Sequence, residues 1–263
     1  IETTEIHAND GPVGYIEDLL FDDENFLVRY LVVNTKKWLG QSKVLISPYA
    51  LEPTAFWSPN SVKSNLTKSQ IKNAPAYEDE LPVSRQFEEV IADHFGWQKY
   101  WYEFMNGPTY DIHQPFPLHS SDVTSPKHYQ DVLNDVENER LEKFDPHLRS
   151  AKAVCGYSIF DNNEQDFGEI ENLILDTKDF RIVDIVVGKY KWLPNFKLKY
   201  CSPIFIDAID ELDQQISMDL SETAILEGPE FDEESYDTHF RSDMVRQFCK
   251  KSEISPVDKN FRR

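Results

Sequence analysis

The sequence predicts a mainly β protein with short helices, arranged as two small antiparallel β-barrels related by internal duplication. Three observations carry this expectation. The stretch RYLVVNTKKWLGQSKVLISP (Arg29–Pro48) returns in altered form as RIVDIVVGKYKWLPNFKLKYCSP (Arg181–Pro203). Matching residues stand 154 positions apart, among them Gly14 and Gly168, Asp22 and Asp176, Phe26 and Phe180, and Ile71 and Ile225. Each half also runs strands first and helices afterwards, at the spacing of short β elements.

Val13–Asp22 has enough alternation for a half-buried strand, with Val13, Tyr15 and Leu19 on one face. FLVRYLVV and RIVDIVV are dense in Val, Ile and Leu, as strands covered on both faces are. Asp22–Asn25 and Asp176–Asp179 read as hairpin turns, and Leu39–Ser42 and Leu193–Phe196 as the turns that follow. KVLISP and KLKYCSP are the returning strands, stopped at Pro48 and Pro203 because proline cannot donate to a ladder.

Helices come next in each half. Thr67 and Ser221 are matched N-caps, and Gln70 completes a capping box with Thr67. Pro75 and Pro229 end those helices. Ser84 and Thr238 open a second pair, with Phe87, Val90, Ile91 and Phe95 forming the apolar face in the first copy. A further helix is expected over Tyr129–Phe144, with Ser125 as its N-cap. The expected domain plan is a first unit at 1–95, an ordered aromatic and Pro-rich linker at 96–150, and a second unit at 151–263.

Composition narrows the function classes. The chain has 263 residues, 40% of them hydrophobic, enough for packed cores. Its net charge of −20 opposes binding to bulk nucleic acid and anionic membranes. Cys155, Cys201 and Cys249 form no CxxC pair, which fits a reduced cytoplasm. No apolar run approaches the roughly 18 residues a membrane helix requires.

These residues resemble a known family. GPVGYIEDLLFDDENFLVRYLVVNTKKWLGQSKVLISPYAL is similar to the PRC-barrel domain, in its Gly-x-Val/Ile strand, Tyr-Leu-Val-Val strand, Trp-Leu turn and Leu-Ile-Ser-Pro close. Ala153–Asp210 resembles it more loosely, and Asp145–Tyr157 looks like the entry to the second barrel of two-copy bacterial PRC-barrel proteins. The resemblance implies a small, mostly antiparallel barrel, found in the cytoplasmic part of the photosynthetic reaction centre H subunit and in the ribosome maturation factor RimM. It implies no shared catalytic residue and no cofactor. Asp184 stands where the first copy has Tyr30, and the first repeat lacks a counterpart of Leu148-Arg149-Ser150, which predicts a longer N-terminus.

Candidate chemistry is sparse. His113 and His119, near Asp111 and Asp122, match no zinc spacing. YEDE (Tyr77–Glu80) and FDEESYD (Phe231–Asp237) lack the EF-hand pattern and read as solvated acidic loops. His94 and His239 read as helix-surface or partly packed residues, and Cys155 and Cys201 as buried thiols in strands. The candidate interaction surface comprises Lys36, Lys37 and Trp38, with Lys191 and Trp192 in the second copy, and Trp97, Tyr100 and Trp101 in the linker. A Trp beside lysines either anchors an interface or caps a barrel end. The expectation is a non-enzymatic cytoplasmic interaction or assembly module, with a protein partner or a homo-oligomeric one. A ribosome- or RNA-linked factor and a proton- or small-molecule-handling protein are the alternatives.

Overall fold

The computed structural model describes residues 4–40, 43–53, 60–78, 83–100, 148–188 and 198–231. The expected helix at Tyr129–Phe144, the N-cap Thr238 and the turn at Leu193–Phe196 lie outside the described residues.

The first sheet is built from β1 (Glu5–Ala8), β2 (Gly11–Asp22), β3 (Val28–Asn34), β4 (Lys43–Ile46) and β5 (Ser61–Lys63), in the order β4-β3-β2-β1-β5. A short strand, β6 (Leu148–Ser150), also pairs with β2. The second sheet holds β7 (Ser158–Phe160), β8 (Asp166–Asp176), β9 (Arg181–Gly188), β10 (Lys199–Cys201), β11 (Ile206–Asp210) and β12 (Gln215–Met218), in the order β10-β9-β8-β7-β12-β11. Counting 154 residues on from β2, β3 or β5 reaches β8, β9 or β12.

One expectation needs correction. The sheets are mixed rather than wholly antiparallel, because β1 pairs with β5 and β7 with β12 in parallel. Among the described residues each sheet is an open path and neither closes into a barrel. Parallel pairing requires a long crossover. More than fifty residues separate the partners in each case, so the chain can return in either direction, and strand periodicity does not record which.

The strand reading holds best where burial is strongest. Six of the seven residues of β3 are buried and Asn34, at its end, is half-buried; β9 is buried from Ile182 to Gly188. In β2, however, Tyr15 leaves the buried face that Val13 and Leu19 share, and lies half-exposed. At Gly14 a side chain would run into the Asn34 carbonyl. Glycine there lets the start of β2 pass close to the end of β3.

The helices are short and capped as read. α1 (Lys36–Leu39) is one turn; α2 (Lys68–Lys72) begins at Thr67, whose side chain forms the full capping box with Gln70. α3 (Arg85–Phe95) starts at Ser84, whose Oγ accepts from Phe87 N at 3.0 Å. α4 (Ala151–Val154) and α5 (Glu222–Leu226) follow in the second half. Ile71 of α2 and Ile225 of α5 are each fully buried, so the matched helices sink matched residues. Carboxylates from the hairpins before them reach their first amides: Asp10 accepts from Lys68 N at 2.8 Å and Asp161 from Glu222 N at 3.2 Å. Cys201 is buried in β10, but Cys155 caps α4 instead of lying in a strand.

The outer edges β4 and β10 are covered alike. Tyr77 N donates to Lys43 O at 2.9 Å, and Phe231 N donates to Leu198 O at 2.8 Å. Covering an edge removes a template for unwanted strand addition.

By contacts the chain forms two compact units. One is Ile1–Asp18 with Tyr30–Leu148; the other is Leu19–Arg29 with Arg149–Arg263. The segment Leu19–Arg29 thus groups with the second unit, although it lies within the first half of the chain.

Candidate functional site

The first unit carries an exposed aromatic and basic patch. After β3 the chain turns through Thr35, which is fully buried, into α1, and Gly40 ends the turn at φ 75°. The strand expected before Lys-Trp-Leu is present as β3, and the tripeptide itself lies in this helical turn. The turn sets Lys36 and Lys37 in solvent and leaves Trp38 half-buried. The Trp38 ring meets Tyr15 of β2 edge-on, centroids 6.0 Å apart. Lys37 Nζ lies 5.2 Å from the Trp38 centroid, within cation–π range. Nearby, Glu17 accepts from Lys43 Nζ at 2.7 Å and from Asn34 Nδ2 at 2.9 Å, tying β2, β3 and β4 together.

A second cluster is buried, and the sequence reading missed it. Apolar spacing on α3 pointed to Val90, but Val90 is half-buried and Glu88 is fully buried. Glu88 Oε2 accepts from the Tyr30 hydroxyl at 3.1 Å and from the Tyr100 hydroxyl at 2.7 Å. Arg85 Nη1 stands 3.1 Å from Glu88 Oε1 and donates to the Tyr100 oxygen at 3.1 Å. Burial, and then the Glu88 charge, push both phenols above their ordinary range. A charged residue in an otherwise helical apolar stripe was the available signal, and it reads equally as a solvent-facing glutamate.

The remaining sequence candidates divide. Trp97 stacks on Phe95 at 4.3 Å and Tyr100 bonds Glu88, so both pack on the first unit around α3. Trp101, Lys191 and Trp192 lie outside the described residues, as do His113, His119 and His239. His94 Nε2 lies 2.9 Å from the Gln70 carbonyl, which makes it a packed helix residue. Among the described residues no His, Cys, Asp and Glu group could hold a metal, and no helix is long and apolar enough to cross a membrane.

The arrangement defines a β-rich module that carries a surface patch at Trp38 and a buried polar cluster at Glu88. A PRC-barrel domain is found at residues 6–57, a span that contains Tyr15, Glu17, Lys36, Lys37, Trp38 and Lys43. PRC-barrel domains are generally non-catalytic and often serve protein interaction. Comparison with curated proteins finds no match.

Proposed function

We propose that this protein is a non-enzymatic, cytoplasmic interaction or assembly module built from two PRC-type units, and that the first unit binds a protein partner through Trp38. The observation that carries this reading is the half-buried Trp38 ring, held edge-on by Tyr15 beneath the exposed Lys37, inside the PRC-barrel span. A large aromatic fixed in place loses little entropy on binding and is the residue type that dominates interface energetics. The two lysines form a local positive point on a chain of net charge −20, which selects an acidic rim on the partner. The matched order of strands and of helices α2 and α5 supports a second unit of the same type.

The test is a pull-down from native lysate with wild-type and Trp38→Ala chains, each with and without nuclease. A protein that survives nuclease and is lost with Trp38→Ala supports the reading. A partner lost with nuclease from the wild type overturns it in favour of an RNA-linked factor. A partner held equally by both chains places binding elsewhere.

A further inference from the structure

The two halves differ at one strand edge. β2 has β3 along one side, beginning at the turn bond from Asp22 N to Leu27 O. On its other side β1 takes only the first part, pairing with residues 11–15. β6 takes the rest: it pairs with β2, and its Arg149 binds Asp23, just past the end of that strand, at 2.8 Å. In the second half β9 lines one side of β8 over residues 169–176. β7 pairs with residues 166–169 on the other side. Past Ile170, whose carbonyl accepts from Gly156 N at 2.8 Å, no strand among the described residues pairs with β8 on that side.

Burial records the difference. Leu19, Leu20, Phe21 and Asp22 of β2 are all buried, none more than 8% exposed. Their 154-residue counterparts Leu173, Ile174, Leu175 and Asp176 are only half-buried. The Leu173 N–H donates to the side chain of its own neighbour, Asn172, at 2.8 Å in an exposed setting. An open edge beside three consecutive apolar residues is a template for strand addition. The edges at β4 and β10, by contrast, are covered.

What covers the matched edge names the occupant. β1 and β7 correspond, since Glu5 pairs with Tyr15 and Ser158 with Glu169, and Tyr15 and Glu169 stand 154 positions apart. β6 lies ahead of β7, with residues 151–157 between them. The same spacing counted back from Glu5 passes Ile1. We propose that the open edge of β8, residues 171–176, is a docking site for an extended strand, and that its occupant is this protein's own segment ahead of Ile1, laid along β8 as β6 is laid along β2. Main-chain hydrogen bonds to the edge supply the affinity, and alternate side chains the specificity. Leu148 of β6 is buried, so an apolar residue at its counterpart shields Leu173, Ile174 and Leu175. Asp22 accepts from Arg29 Nε at 2.7 Å. The counterpart of Arg29 is Val183, which leaves Asp176 to a basic residue of the incoming strand, the counterpart of Arg149. This is independent of the Trp38 patch.

Grafting on the full chain tests this. One chain carries a copy of residues 148–153 directly ahead of Ile1, which sets Leu-Arg-Ser at the matched distance from β1. A second carries a Gly/Ser extension of the same length, and the third is Ile1–Arg263 alone. Amide hydrogen exchange is read for residues 171–176, and mass by light scattering. The expected result is that the fastest-exchanging amides of this stretch slow by about tenfold or more in the grafted chain alone, with the chain monomeric. Exchange equally fast in all three chains overturns the docking. Exchange equally slow in all three shows an edge already covered and overturns the site. Slowing by the Gly/Ser extension overturns the Leu-Arg-Ser pattern. Slowing that appears only in a dimer overturns the own-chain occupant in favour of a second copy.

Discussion

The Tyr30 hydroxyl donates a 3.1 Å hydrogen bond to Glu88, joining β3 of the first sheet to α3. Tyr100 donates to the same carboxylate oxygen from beyond the helix end, at 2.7 Å. One buried carboxylate thus ties a strand, a helix and the segment after it.

That relationship predicts a loss of stability at alkaline pH. In the unfolded chain both phenols ionise near pH 10. In the fold, burial and the Glu88 charge hold the protons on to higher pH. Below about pH 10 both states carry these protons and the stabilisation is fully present; above it the fold binds more protons than the unfolded chain, and stability falls as pH rises. Urea midpoints measured between about pH 8 and 11 should drop more steeply for the wild type than for Tyr30→Phe. Equal slopes would show that Tyr30 titrates alike in both states.

Helix capping gives a second expectation. Ser84 is fully buried and its Oγ accepts from Phe87 N. Ser84→Ala removes that acceptor and should cost about 1 kcal/mol, which calorimetry reads as a fall in Tm of about 2–4 °C. Ser84→Asp should restore much of it, since aspartate caps as well.

Two glycines should differ sharply. An alanine at Gly14 meets the Asn34 backbone carbonyl, which cannot move without shifting β3; an alanine at Gly188 meets the Glu171 side chain, which can turn aside. Gly14→Ala should lower unfolding free energy by about 1–3 kcal/mol, and Gly188→Ala by less. Similar urea midpoints for the two variants would refute the close approach at Gly14.

Arg149 should matter more than its place in a short strand suggests. Its side chain is only 8% exposed and lies 2.7 Å from Asp23 and 3.4 Å from Glu211. Burial pushes the Glu211 carboxyl above its usual range, and the Arg149 charge pulls it back down. Arg149→Ala removes the shared guanidinium from two part-exposed carboxylates and should cost about 1–2 kcal/mol at neutral pH. A carboxyl raised in the fold is least costly where it is protonated, so the deficit should shrink as pH falls toward about 4. Urea unfolding at both pH values checks the size and the sign.

Much of the local structure was legible in the sequence. Thr67, Ser84 and Ser221 cap helices where their spacing placed them, because capping involves residues only three apart. The apolar runs of β3 and β9 are buried because a strand covered on both faces needs such a run. Tyr15 and Val90 were misassigned because periodicity tells which residues share a face and not what covers it. The Trp38 patch was half legible: its residues were singled out, but the Tyr15 edge contact comes from another strand. The Glu88 cluster could not be read from the sequence, since its two tyrosine partners lie 58 and 12 residues away and a glutamate beside an apolar stripe reads equally as solvent-facing.

By itself the sequence determined the β-rich class, the 154-residue correspondence, the caps and the strand runs, all of which rest on short-range stereochemistry and pattern. Tertiary structure alone decided that β1 and β5 run parallel, that Glu88 is buried among two tyrosines and an arginine, and that residues 22–28 pair with 176–182. These are contacts between distant segments, chosen by the free energy of the whole packed chain, and no local run of residues encodes them.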